Sequence, residues 1–312
     1  MFTGTGTALV TPFRHDGSLD EPTLRALIKR QIDAGIDFLV PCGTTGESPT
    51  LTHEEHLRVV EIAVELAEGR VPVLAGAGGY NTREVIALAR ELAEIGADGI
   101  LSVTPYYNKP TQEGLYQHYR AIAAATSLPI VVYSVQGRTG VNVEPATVRR
   151  LAAIENVVGI KEASGNISQM AAIINAVANE FNVLSGDDAI TLPLIAVGGR
   201  GVISVVSNEI PAEMARMTRL ALAGDFAAAR EIHRRVHPLM EVNFVESNPI
   251  PVKAAMSQMG LLEPVWRLPL VAPKAENEAR IHAVLESLEL VNSTTLPRES
   301  ATLPRATVHA AA

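Results

Sequence analysis

Short apolar runs alternate with longer stretches of mixed polarity along most of the chain. Eight runs stand out: Thr7–Val10, Phe38–Pro41, Val71–Ala75, Gly99–Val103, Ile130–Tyr133, Val157–Ile160, Asn182–Leu184 and Gly201–Val205. From the second run onward their starts are 33, 28, 31, 27, 25 and 19 residues apart, which is room for one strand, one helix and two short connections per unit. The runs are continuously apolar, as expected of parallel strands covered on both faces. The intervening stretches carry the helical period. In Thr82–Ile95, Val85, Leu88, Ala89 and Leu92 fall at i, i+3, i+4 and i+7, and Ile167, Met170, Ala171 and Ile174 repeat the pattern in Ile167–Asn179. Thr52 with Glu55 three residues later predicts a capping box opening another helix.

Eight such units predict an α/β fold, a closed (β/α)8 TIM barrel over residues 1–223. An open doubly wound sheet is the other architecture such units build, and eight evenly spaced units without a topology break favour the barrel. After Gly224-Asp225 the strand pattern stops. Asp225–Val245, Pro249–Met259 and Lys274–Leu290 read as helices, giving a small C-terminal helical domain over 224–292. Residues 293–312, rich in Ser, Thr, Pro and Ala, are expected to form a disordered tail.

Composition narrows the function classes. The 312 residues carry a net charge of -8 without a basic stripe, which disfavours nucleic acid and anionic membrane as partners. The single cysteine, Cys42, excludes an internal disulfide. The start Met1-Phe-Thr-Gly has neither a basic segment nor a long apolar one, and no stretch of 18 apolar residues lacks charges, so a cytoplasmic protein is expected.

A barrel carries its chemistry at the C-terminal ends of its strands. Of five lysines, only Lys161 ends a predicted strand. Burial there disfavours the charged amine, and a neutral amine is what attack on a carbonyl needs. A lysine snorkelling to the rim or pairing with Glu162 is the other reading. Tyr133 ends the preceding strand, where its hydroxyl can move protons or simply be satisfied by the barrel. Gly43-Thr-Thr-Gly-Glu-Ser48 can hold a carboxylate on backbone N–H groups and the hydroxyls of Thr44 and Thr45, or serve as an ordinary βα turn. Tyr106 and Tyr107 are adjacent in a Pro-bounded loop that suits a cleft or an oligomer interface. Arg138 suits a carboxylate substrate. Gly186-Asp-Asp188 can cap a helix or touch substrate. Gly76-Ala-Gly-Gly-Tyr-Asn81 lacks the last glycine of a dinucleotide fingerprint, so no dinucleotide site is expected, and His53 and His56 form no zinc motif.

Seven ordered motifs together resemble the dihydrodipicolinate synthase family: Gly43-Thr-Thr-Gly-Glu-Ser48, Val103-Thr-Pro-Tyr-Tyr-Asn108, Tyr133 with Gly137-Arg-Thr-Gly140, Gly159-Ile-Lys-Glu-Ala163, Ser185-Gly-Asp-Asp188, Gly201-Val-Ile-Ser204 and Asn248-Pro-Ile-Pro-Val-Lys253. The similarity spans about residues 1–292. It implies a Schiff-base reaction in lysine and diaminopimelate biosynthesis, in which pyruvate held as an imine on Lys161 condenses with aspartate semialdehyde and neither a metal nor an organic cofactor is needed. It also implies a proton relay through Tyr133, Thr44 and a Tyr107 from a neighbouring subunit of a homotetramer. Thr45, Ile203 and Gly186 would hold pyruvate, and Arg138 the semialdehyde carboxylate. In lysine-inhibited members, residues matching Ser48, His53, His56, Glu84 and Tyr106 bind free lysine. Tyr80 stands where those enzymes commonly carry Asn. Ser134 and Gln136 replace the family's usual Asn and Pro beside Tyr133. Another pyruvate aldolase, of the N-acetylneuraminate lyase or 2-keto-3-deoxy-sugar acid type, and a non-catalytic carboxylate sensor are the competing readings.

Overall fold

Each apolar run becomes a strand in the computed structural model, which describes residues 1–291. The predicted tail at 293–312 lies outside the described residues. The order is β1 (Gly4–Ala8), α1 (Glu21–Asp33), β2 (Phe38–Val40), α2 (His53–Ala67), β3 (Leu74–Gly76), α3 (Thr82–Ile95), β4 (Gly99–Val103) and α4 (Gln112–Ala123). There follow β5 (Ile130–Ser134), α5 (Gln136–Thr139), α6 (Pro145–Leu151), β6 (Val157–Glu162), α7 (Ile167–Ala176), β7 (Asn182–Ser185), α8 (Thr191–Ala196), β8 (Gly201–Ser204) and α9 (Pro211–Leu222). Three more helices end the described chain: α10 (Phe226–Val242), α11 (Ile250–Gln258) and α12 (Ala275–Ser287).

All strand pairings are parallel, in the order β2-β1-β8-β7-β6-β5-β4-β3. The ends meet at a parallel bridge between Leu39 and Val73, flanked by Leu39 N–H donating to Pro72 O (2.9 Å) and Gly76 N–H to Pro41 O (2.9 Å). The sheet is therefore the TIM barrel that the spacing predicts. Thr52 and Glu55 form the predicted capping box on α2. The periodic stretch ending at Asn179 overruns α7, which stops at Ala176.

Two strands depart instructively from the apolar runs. β1 starts at Gly4, three residues ahead of its run. Four of its five residues are Gly-Thr-Gly-Thr because the barrel floor is filled from elsewhere: a Cβ on Gly6 would lie 2.1 Å from the Phe38 ring. The Thr5 and Thr7 hydroxyls point outward, donating to Met214 O and Gln31 Oε1. β6 runs past its apolar run, so that Lys161 and Glu162 are strand residues.

Side chains alternate between two cores. Phe38, Val40, Leu74, Leu101, Val131, Tyr133, Leu184 and Ile203 pack inside the barrel, and a larger cluster fills the space between the strands and α1–α7. A third cluster joins α8 and α9 to α10–α12 through Met214, Met217, Val236, Leu239 and Ile281. Every residue of α11 is buried. Its Val252 and Met256 pack with Val10, Leu27 and Val205, which brings the helix against the barrel.

Candidate active site

Strand register gathers the inward residues that matter. Tyr133 on β5 pairs with Lys161 on β6, which pairs with Leu184 on β7. Lys161 is buried, and its Nζ lies over the Tyr133 ring, 4.2 Å from the centroid. Glu162, the next residue, points to the opposite face of the strand, as pleating requires. It accepts hydrogen bonds from Ser164 Oγ (2.9 Å) and Gln169 Nε2 (2.9 Å) and is no partner for the lysine. Burial raises the Glu162 carboxyl above the usual range. Gly186 follows β7 and leaves space for the lysine stem: a Cβ there would lie 3.1 Å from Lys161 Cε and 2.5 Å from Ala163 Cβ. Ile203 on β8 belongs to the same inner cluster as Tyr133.

The turn after β2 supplies the hydroxyls. Gly46 N–H donates to Gly43 O and Glu47 N–H to Thr44 O, both at 3.1 Å. Thr11 Oγ1 donates to Gly46 O at 2.7 Å from the β1 side. Thr45 is buried, and its Oγ1 accepts from Asn248 Nδ2 at 3.0 Å. The carbonyl of Asn248 in turn accepts from Arg138 Nη2 at 2.9 Å. Arg138 sits on α5, the single turn that follows Tyr133, so its position is set both by β5 and by the C-terminal segment.

Thr44, Tyr133, Arg138 and Asn248 line one cavity of about 420 Å³, whereas Lys161, Thr45, Gly186 and Ile203 are not among the residues on its wall. Ser48, His56 and Tyr106 line the same cavity. A shallower hollow of about 560 Å³ between α2 and α3 is walled by Glu61, Glu65, Glu91 and Glu94, far in character from a carboxylate site.

The dihydrodipicolinate synthetase family model matches residues 1–288. The chain belongs to this family. It is 51% identical to the 4-hydroxy-tetrahydrodipicolinate synthase of Koribacter versatilis, over 94% of this chain and 98% of that one. The chloride-inhibited dihydrodipicolinate synthase from Acinetobacter baumannii, solved with pyruvate, superposes with a TM-score of 0.92 at 42% identity, covering 93% and 100% of the two chains. The enzyme from Cyanidioschyzon merolae, solved with lysine bound, gives 0.90 at 41% identity, covering 93% and 99%.

Not all the family residues singled out in the sequence come together in this dihydrodipicolinate synthetase fold. Tyr107 is 92% exposed with a φ of 65° and does not line the cavity of its own barrel. Tyr80 is half-exposed and meets Tyr106 edge to face, with centroids 5.3 Å apart. Glu84 is exposed and accepts from Asn81 Nδ2 at 2.7 Å. The two α2 histidines part company: His53 is exposed with Nε2 2.6 Å from Glu91 Oε2, whereas His56 is buried with Nε2 2.8 Å from Gly76 O. Burial pulls the His56 pKa below the usual histidine value. Ser134, one of the departures beside Tyr133, is buried and its Oγ accepts from Val143 N–H at 3.2 Å. Cys42 is buried, and burial pushes its thiol up, which leaves it unreactive. Among the described residues no three His, Cys, Asp or Glu side chains are placed to hold a metal, and no helix is long and apolar enough to cross a membrane.

Three site residues escaped the sequence reading: Asn248, Glu47 and Lys253. All lie in the quoted motifs, but none ends a strand. The signal for Lys253 was its place within Ile250-Pro-Val-Lys-Ala-Ala-Met256, a lysine among apolar residues on every side.

Proposed function

We propose that the protein is a lyase, a 4-hydroxy-tetrahydrodipicolinate synthase that condenses pyruvate with L-aspartate 4-semialdehyde through a Schiff base on Lys161. The observation that carries the reading is the buried Lys161 amine over the Tyr133 ring, at the end of the barrel where the Thr44-Thr45 turn and Arg138 converge. The relatives at about half identity over nearly their whole length share the synthase name, which favours this over the other pyruvate aldolases.

The steps follow from the groups present. Lys161 Nζ attacks C2 of pyruvate and water leaves, giving an imine. A C3 proton is lost to give an enamine, the iminium nitrogen acting as electron sink. C3 of the enamine then forms a bond to the aldehyde carbon of the semialdehyde, whose oxygen takes up a proton. The amine of the semialdehyde adds to C2, the Lys161 amine leaves, and the ring is closed. Tyr133, through Thr44 and Tyr107 of a neighbouring subunit, carries the protons. Thr45, the backbone at Ile203 and the space at Gly186 accommodate pyruvate, and Arg138 receives the carboxylate of the semialdehyde.

A homotetramer is supported by the exposure of Tyr107, which leaves its ring free to reach the site of a neighbouring subunit. A regulatory role for lysine, at the set Ser48, His53, His56, Tyr80, Glu84 and Tyr106, is supported by the presence of Ser48, His56 and Tyr106 on the cavity wall and by the contact of Tyr80 with Tyr106. The test of the main reading is borohydride reduction with pyruvate: the peptide holding Lys161 gains the reduced pyruvyl mass, and turnover with the semialdehyde yields the cyclic product. Label on another lysine, or none, overturns it.

A further inference from the structure

Lys253 and Glu47 are both fully shielded from solvent, and Lys253 Nζ donates to Glu47 Oε1 at 2.5 Å. A buried charge must be paired, yet such a pair adds little net stability over an apolar pair of the same volume. Its placement points to a different role. Glu47 stands two residues after Thr45 in the left-handed region, with φ 53° and ψ 34°, and opens the short 3-10 turn Ser48–Thr50. A glutamate holds that conformation only when its surroundings fix it. Its N–H donates to Thr44 O, so the backbone of Thr44 and the carboxylate of Glu47 are one hydrogen-bond step apart.

Lys253 comes from α11, whose nine residues are all buried and whose helix therefore has no free direction in which to yield. Five residues before it, Asn248 bonds Thr45 Oγ1 and Arg138. The Lys253 amine also lies over the Phe13 ring (4.5 Å), and Arg267 lies over the same ring (4.1 Å) while gripping Glu55 and Thr50 O from the far side of the turn. The turn bearing the threonines is thus held at both ends by parts of the chain beyond the barrel strands.

We propose that the Glu47–Lys253 pair is a positioning device for the catalytic turn: it sets where Thr44 and Thr45 stand relative to Lys161, and so governs pyruvate binding and proton transfer. This rests on the reading of Lys161, Thr44 and Thr45 given above. Lys253 and Glu47 are positioning residues and touch no reacting atom.

The test is steady-state kinetics of Lys253→Met, Glu47→Gln and Lys253→Arg, at a temperature where each is folded by circular dichroism. The pyruvate KM should rise and kcat fall, together lowering kcat/KM by about 10²-fold, the cost of roughly 1 Å of misplacement. In a Thr45→Val background, Lys253→Met should change the pyruvate KM less than twofold, because the effect on binding passes through Thr45. Should Lys253→Met not fold, Lys253→Arg, which keeps the charge and displaces it, is judged by the same criteria. Kinetic constants within twofold of the parent, with only the thermal midpoint lowered, overturn the proposal and leave a structural pair. Parent enzyme that traps no pyruvate on Lys161 overturns both this and the underlying reading. Parent enzyme that traps it while the variants stay unchanged overturns the positioning role alone.

Discussion

The Lys161 amine lies over the face of the Tyr133 ring, 4.2 Å from its centroid, so that one side chain provides a wall for the amine and, in the proposed mechanism, a hydroxyl for the reaction. The two functions separate in Tyr133→Phe, which keeps the ring and loses the oxygen. Borohydride should still trap pyruvate on Lys161, while kcat falls by about 10²–10⁴-fold, the usual worth of a general acid–base. A kcat within tenfold of the parent would remove Tyr133 from the proton path.

Gly186 is predicted to be intolerant of a single methyl group. A Cβ there meets Ala163 Cβ at 2.5 Å and Lys161 Cε at 3.1 Å. Gly186→Ala must displace the lysine stem, and a misplaced nucleophile costs about 10²-fold in kcat/KM. Measuring kcat/KM alongside the thermal midpoint checks this. Full activity in the folded variant would show that the stem has slack.

The exposure of Tyr107 makes a prediction about mixed oligomers. Chains carrying Tyr107→Phe and chains carrying Lys161→Ala, each nearly inactive alone, should regain activity once their subunits are mixed. A site can then draw an intact Lys161 from one chain and an intact Tyr107 from another. No regain after mixing is verified by native mass spectrometry would mean that each barrel works alone.

Inhibition by lysine should be partial. The Tyr80 ring packs edge-on against Tyr106 and so occupies space beside the cavity wall formed by Ser48, His56 and Tyr106. Rates at fixed pyruvate and rising lysine should fall to a plateau above zero, and Tyr80→Asn should lower the lysine concentration needed. A flat response in both proteins would remove the regulatory reading.

Acid should destabilise the fold in a defined window. His118 is buried between α3 and α4, with Nδ1 2.9 Å from Thr82 Oγ1, and burial lowers its pKa from 6.5 to about 4. Between these values the unfolded chain takes up the proton and the folded one resists it. The stabilisation is complete above about pH 6.5 and is lost as the pH falls towards 4, amounting to about 3 kcal/mol. The buried His56 shifts in the same direction. Unfolding in urea from pH 7 to 4.5 should show the slope, and His118→Asn should flatten it. An unchanged slope would assign the acid limb to other groups.

The barrel was legible because parallel strands need continuous apolar runs, and the chain supplies eight of them. The start of β1 is not legible because the barrel-filling volume there belongs to Phe2 and Phe38, leaving Gly and Thr at four of its five positions. Lys161 and Tyr133 were legible as polar residues where strands end. Asn248, Glu47 and Lys253 were not, because their roles depend on contacts more than 200 residues apart in the chain. His56 shows the same limit at shorter range: helical spacing groups it with His53, and only the approach of Gly76 decides that one is buried and the other is not.

The separation of Glu47 from Lys253 also imposes an order on synthesis. The two residues lie 206 positions apart. At about 5–20 residues per second a ribosome needs roughly 10–40 s to reach the second after making the first. All eight strands have been made by then, so a nascent barrel can close with its acidic turn still lacking a cation. The enzyme's maturation thus ends with its C-terminal helices, and a chain released before residue 253 carries Lys161 without the cation that pairs with Glu47.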